Sequence, residues 1–181
     1  MGLYTYEKNT LLRIIIRVFV YIAVVISAAW FFVNSFLNQA IVSGNSMSPV
    51  LEAGDMCLIN RLSYDIGNPK RYDIIVFSRQ DTGKQNIKRI VALPGETVQI
   101  LDGVLYINGK ELDDPFTSPI SLPGIADNLI ELSEDEYFVV GDNADSSEDS
   151  RFANIGNVKR SAVKGKLWFI IKPFKRLGRI K

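Results

Sequence analysis

The chain has 181 residues, 47% of them hydrophobic and 23% charged, with a formal net charge of +1. That composition supports a packed core plus an appendage and gives no electrostatic argument for a nucleic-acid partner. The absence of histidine and the single cysteine, Cys57, exclude a Ser-His-Asp triad, a Cys-His pair, an internal disulfide and the common His- or thiolate-based metal sites. No metal and no cofactor is expected.

The first element in chain order is the apolar run Ile14–Val33, 20 residues with one charge, Arg17. About 20 apolar residues span a bilayer as a helix. A transmembrane anchor is expected over residues 14–37, after a cytoplasmic N-terminus of residues 1–13. Lys8, Arg13 and Arg17 lie at the front of the run, and no basic residue occurs in the segment from Asn34 to Val50. The positive-inside rule then places residues 38–181 outside the cell membrane. A cleaved secretory signal is the competing reading, but the apolar stretch is long for one and no clean small-x-small site follows closely.

Beyond the anchor the pattern changes to short strands. DMCLINRL, YDIIVFSR, NIKRIVAL, ETVQIL, VLYIN, YFVVG and KLWFII have strand length and composition. LDGV and INGK carry the Asp-Gly and Asn-Gly pairs of two-residue hairpin turns. The expected fold is mostly β, an antiparallel catalytic domain on one N-terminal helix, without a soluble helix. A smaller inserted lobe is expected over about residues 96–140, with the Pro-rich loop DDPFTSPISLPGIAD inside it. Cys57, in the apolar MCLIN, reads as a buried structural residue. Nine Lys or Arg and no acid lie between Lys159 and Lys181, so the tail is either solvated or in contact with anionic lipid.

The stretch SGNSMSPVLEAGD, Ser43–Asp55, holds three serines in a constrained turn. If one is a nucleophile, its base cannot be imidazole. Lysine is strong enough, but near pH 7.5 only about one in a thousand unperturbed lysines is neutral. Burial lowers the lysine pKa and makes a usable base. Lys88 in NIKRIVALPGE has apolar neighbours, and alternation puts either Lys88 or Arg89 against the core. Residue chemistry nominates Lys88 without choosing it, and leaves Ser43, Ser46 and Ser48 open. A third segment, GDNADSSEDSR (141–151), is dense in acids and serines, yet fails the alternating acid pattern of a calcium loop. A polar network beside a buried amine suits it better.

Together SGNSMSP, KRYDIIVF, NIKRIVALPGE and GDNADSSEDSR resemble the ordered boxes of the bacterial type I signal peptidases, in the short form common in Gram-positive bacteria. The resemblance runs from about Ile41 to Lys166. It implies a membrane-bound serine endopeptidase that removes signal peptides from exported preproteins after small-x-small sites. It implies Ser46 as nucleophile and Lys88 as general base, with Ser147 hydrogen-bonded to the Lys88 amine. Asp149 would pair with both Arg89 and Arg151, and Asp142 and Asn143 would stabilise the adjoining turn. The oxyanion donors would be the Ser46 N–H and a donor at Gly44. Val42, Met47, Leu51, Asn86 and Ile87 would bind substrate. Departures from the family pattern are Gly44 and Val50 in place of Ser and Thr, Tyr72 in place of Gly, and Asn86 in place of an aromatic or aliphatic residue. They leave open a peptidase dedicated to pilin-like substrates or a non-catalytic assembly factor. A self-cleaving repressor is disfavoured, since no helix-turn-helix is found. Ser46 lies 13 residues past Val33, so a taut linker holds it within about 45 Å of the span.

Overall fold

The computed structural model describes residues 3–36, 38–79, 82–113 and 116–180, with the side chains of residues 3–9, 35 and 36 left aside. The expected end of the anchor, Leu37, lies outside the described residues, as do Asp114 and Pro115 of the Pro-rich loop.

Helix α1 (Leu3–Phe36) is continuous, because no glycine or proline interrupts those residues. Within it, Thr10–Asn34 is long and apolar enough to cross a membrane, and the side chains from residue 10 to residue 34 are all exposed. An apolar helix whose side chains stay exposed over residues 10–34 is the build of a membrane anchor.

The remaining elements are β1 (Asn38–Ile41), β2 (Met56–Asn60), the short helix α2 (Leu62–Ile66), β3 (Ile74–Ser78), β4 (Gln85–Ala92), β5 (Thr97–Leu101), β6 (Val104–Ile107), β7 (Lys110–Glu111), β8 (Ile130–Glu131), β9 (Glu136–Val140), β10 (Val158–Lys159), β11 (Val163–Lys172) and β12 (Gly178–Arg179). Among the described residues they form two antiparallel sheets. The larger has the order β1-β2-β11-β3-β4-β9-β10, with β12 on β11; the smaller has the order β7-β6-β5-β8. Helix α2 corrects the expectation of no soluble helix: its one turn buries Tyr64, whose hydroxyl donates to Asp73 at 2.8 Å.

Both expected hairpin turns carry their positive φ angles, Asp102 and Gly103 at 50° and 82°, Asn108 and Gly109 at 52° and 72°. The smaller sheet does not keep a core to itself. Val98, Ile100, Leu105 and Ile107 pack with Val91 and Ala92 of β4 and with Phe138 and Val140 of β9. Strand β9, read from the sequence as part of the insert, pairs with β4 and β10 in the larger sheet. On one side of the larger sheet Ile74, Val76, Cys57, Ile59 and Leu167 pack with Met47 and Leu51 from the β1–β2 loop. Burial drives the Cys57 thiol up to about 12, with Asp55 adding to the shift and Arg176 opposing it, so the residue is inert.

Candidate active site

Strand β4 pairs with β3 along residues 85–89 but with β9 only from Arg89 onward. Residues 85–88 therefore keep one edge without a strand partner among the described residues, and Lys88 stands where that edge meets the sheet. Its side chain is only 5% exposed. The Nζ lies 2.8 Å from the Ser46 Oγ, across 42 residues of sequence. Burial holds the Lys88 amine below its ordinary value of 10.5, against the opposing pull of Asp149, Glu148 and Asp142. Arg151 pushes in the same direction as burial.

The loop that carries Ser46 is fixed at several points. The Asn143 N–H donates to the Ser46 carbonyl at 3.0 Å, and the Leu51 N–H donates to the Met47 carbonyl at 2.8 Å. Gly141 leaves room for this approach: a Cβ there would stand 2.4 Å from the Ser46 carbonyl oxygen and 2.3 Å from the Ser147 Oγ. Only glycine fits at position 141. The Ser46 N–H donates to no acceptor among the described residues.

Two buried ion pairs frame the amine. Arg89, 1% exposed, donates from Nε and Nη2 to the two Asp142 oxygens at 2.7 and 2.6 Å. Its guanidinium also lies 4.0 Å from the centre of the Phe116 ring. Asp149 receives Arg151 at 2.8 and 2.9 Å, the Ser147 hydroxyl at 2.6 Å and the Gly141 N–H at 3.1 Å. Two expectations are corrected here. Arg89 pairs with Asp142 rather than Asp149, because its bidentate fork fills both oxygens of the nearer carboxylate. Ser147 spends its proton on Asp149, and no hydrogen bond joins it to Lys88 among the described residues. The alternation rule also chose too few residues: Lys88 and Arg89 are both buried, since the sheet is covered on both faces.

The family described as "Signal peptidase, peptidase S26" matches residues 12–172. The chain belongs to the signal peptidase family, peptidase S26. It is 37% identical to a signal peptidase I of Bacillus caldolyticus over 78% of this chain and 82% of that one. It is 31% identical to a signal peptidase I of Bacillus licheniformis over 96% of this chain and 95% of that one. A crystal structure of a signal peptidase I from Enterococcus faecalis V583 aligns with TM-score 0.44 and 33% identity, over 56% of this chain and 97% of that one.

A signal peptidase must admit an extended peptide to its nucleophile, and a cavity of about 90 Å³ opens beside Ser46 and Lys88. Ala40, Val42, Met47, Val76 and Ile87 supply apolar lining, and Asn86 a polar one. Leu51 does not line it. That residue is fully buried in the core under the loop, which corrects its reading as a substrate contact. Gly44 sits at φ +86° with no atom within 4 Å of the place a Cβ would take; a serine there would be strained by the backbone, not by crowding. Tyr72, a non-glycine residue, keeps a left-handed φ of 68°. Its hydroxyl donates to the Asp113 carbonyl at 2.7 Å and its ring meets Phe116, contacts that offset the strain. Among the described residues no three Cys, Asp or Glu side chains converge as metal ligands would.

Arg176 and Asp55 were not singled out in the sequence. Arg176 reaches the Ser46 loop from 121 residues away, and a tail rich in Lys and Arg gives no signal as to which one turns inward.

Proposed function

We propose that Ser46 and Lys88 carry out the signal-peptide cleavage for which the family is named. The observation that carries this reading is the 2.8 Å separation of the Ser46 Oγ from a buried amine whose pKa is lowered. Neutral Lys88 takes the Ser46 proton as the Oγ attacks the carbonyl carbon at the cleavage point. The tetrahedral oxyanion is met by the unengaged Ser46 N–H, with a second donor at the Gly44 position. Lys88 then gives its proton to the departing amine of the mature protein, leaving an ester on Ser46. Water loses one proton to Lys88 and attacks the ester; the Lys88 proton then returns to Ser46, and the signal peptide leaves as a carboxylic acid that ionises by giving its remaining proton to solvent.

The groups behind the dyad act through it. Asp149 and Arg151 fix the Ser147 turn, Asp142 and Arg89 fix the Gly141–Asn143 turn, and the Asn143 amide holds the Ser46 carbonyl. The substrate lies along the unpaired edge of β4, facing β1. A cavity of about 90 Å³ accepts a small side chain of a small-x-small site and rejects larger ones. Val42, Met47, Asn86 and Ile87 form its walls.

Helix α1 anchors the enzyme with its N-terminus in the cytoplasm and its β domain outside, as the basic residues before the span favour. Protease added to intact cells should then reach the β domain; protection would contradict this orientation. The C-terminal turn meets anionic lipid. Phe174 and Leu177 are 80% and 54% exposed, between the exposed Lys172, Lys175 and Arg179. A Phe174→Trp variant in an anionic bilayer should be quenched by lipid-borne quenchers, and full water exposure would contradict the contact.

The deciding experiment is cleavage of a preprotein with an Ala-x-Ala site by the detergent-solubilised wild type and by Ser46→Ala. Cleavage after the second Ala, lost in the variant, is expected. Cleavage by the variant at the wild-type rate would remove Ser46 from the chemistry.

A further inference from the structure

The far end of the chain returns to the nucleophile loop through one side chain. After β11, Phe174–Arg176 make a 3₁₀ turn. From it Arg176 places its Nε 3.1 Å from both Asp55 oxygens and donates through Nη2 to the Val50 carbonyl at 3.0 Å. Its Nη1 stands 3.1 Å from a Glu52 oxygen. Asp55 is 1% exposed, and its carboxylate also accepts the Glu52 N–H at 2.9 Å. The base of the loop is closed by two backbone bonds, Val42 N–H to the Asp55 carbonyl and Gly54 N–H to the Val42 carbonyl, each 2.9 Å.

One guanidinium therefore holds residues 50, 52 and 55. Between them, Leu51 is fully buried and its N–H is bonded to the carbonyl of Met47, the residue next to Ser46. Any rotation of segment 50–55 drags residue 47, and through it the Ser46 Oγ. A displacement of about 1 Å at reacting atoms costs about 100-fold in rate.

We propose that Arg176 is a positioning residue of the peptidase, a clamp from the C-terminal turn that holds the nucleophile loop in register with Lys88. The proposal rests on the assignment of Ser46 and Lys88. A lysine at 176 cannot replace the clamp, since one ammonium cannot reach Asp55, Glu52 and the Val50 carbonyl together.

The test uses the full-length protein in detergent at temperatures well below its unfolding midpoint. The variants are Arg176→Gln, Arg176→Lys, and Arg176→Gln combined with Asp55→Asn, which leaves no buried charge unpaired. Two readouts are taken: kcat and KM on an Ala-x-Ala preprotein, and the rate at which a small activated ester acylates Ser46 without filling the substrate groove. The expected result is a fall of about 10-fold or more in kcat, a KM within about twofold of wild type, and an equal fall in ester acylation. Arg176→Lys should recover less than about threefold of the loss. Wild-type kcat and acylation in the folded double variant would overturn the proposal, and that variant decides the matter if Arg176→Gln does not fold. Cleavage that survives Ser46→Ala would instead overturn the assignment of the nucleophile.

Discussion

The loop of residues 43–55 and the loop of residues 141–151 both close on Lys88, yet the first is seated on apolar side chains and tied by one guanidinium, while the second is held by charges throughout. In the first, Met47 and Leu51 are 1% and 0% exposed and plug the core beneath Ser46. In the second, Asp142, Ser147, Asp149, Ser150 and Arg151 are all buried, and nearly every polar atom has a named partner. Apolar plugs fix depth but not direction. Directional bonds are then needed to aim a hydroxyl at an amine, and they come from the second loop, through the Asn143 N–H and the tight fit of Gly141, and from Arg176 on Asp55 and the Val50 carbonyl. The charges cost desolvation, and the structure answers it with paired geometry.

The comparison breaks most visibly at the dyad, where both loops meet. Lys88→Met and Lys88→Arg should each lose about 1,000-fold or more in kcat/KM for a preprotein, since a guanidinium does not deprotonate near neutral pH. The folded variants should keep a wild-type circular dichroism spectrum. A Lys88→Arg enzyme with full activity would take proton transfer away from position 88.

Next in size are the two kinds of support. Asp149→Ala leaves Arg151 as an unpaired buried cation and should cost about 3–5 kcal/mol in denaturant unfolding. Leu51→Ala removes the apolar plug and should cost about 2–5 kcal/mol by cavity formation. The two losses should differ in character. High salt leaves the Leu51→Ala cost unchanged, whereas replacing Asp149 and Arg151 together by apolar residues should recover most of the first loss. Failure of that recovery would mean that the charges do more than compensate one another.

A smaller effect follows from Lys88 itself. Its pKa is lowered in the folded state, so between that value and the ordinary 10.5 the unfolded chain binds the extra proton. Wild-type stability therefore rises with pH across that window. Lys88→Met should be more stable than wild type at pH 6, and its advantage should shrink steadily as pH approaches 10.5. A constant difference across the range would contradict the lowered amine. Smallest of all, Tyr72→Phe loses one hydrogen bond to the Asp113 carbonyl and should cost about 1 kcal/mol.

Much of this molecule could be read before its structure. The long apolar run, the strands of four or more residues beyond β1 and both Gly-containing hairpin turns follow from local chemistry that tertiary context did not override. The two-residue strands β7, β8, β10 and β12 had no such signal, because a pair of residues shows no alternation. Strand β1 was hidden in the linker after the anchor, where NQAI exists as a strand only through its register with β2. Within the site, the motifs named Ser46 and Lys88, whose side chains lie 2.8 Å apart, but they placed the Ser147 hydroxyl on the amine, whereas it donates to Asp149. Motifs could not say which carboxylate Arg89 would take, since Asp142 and Asp149 lie in one loop and only folded geometry ranks them. Leu51 was read as a pocket residue because apolar and adjacent does not distinguish plug from wall. Arg176 was invisible for the opposite reason: its partners lie more than a hundred residues away.

The measurement that tests the central claim most directly is the pH dependence of kcat/KM for an Ala-x-Ala preprotein, taken with the full-length enzyme. A buried lysine acting as a neutral base predicts an acid limb of unit slope that levels off below 10.5, the ordinary value for the amine. An activity still rising toward that ordinary value, or flat through the acid range, would contradict it.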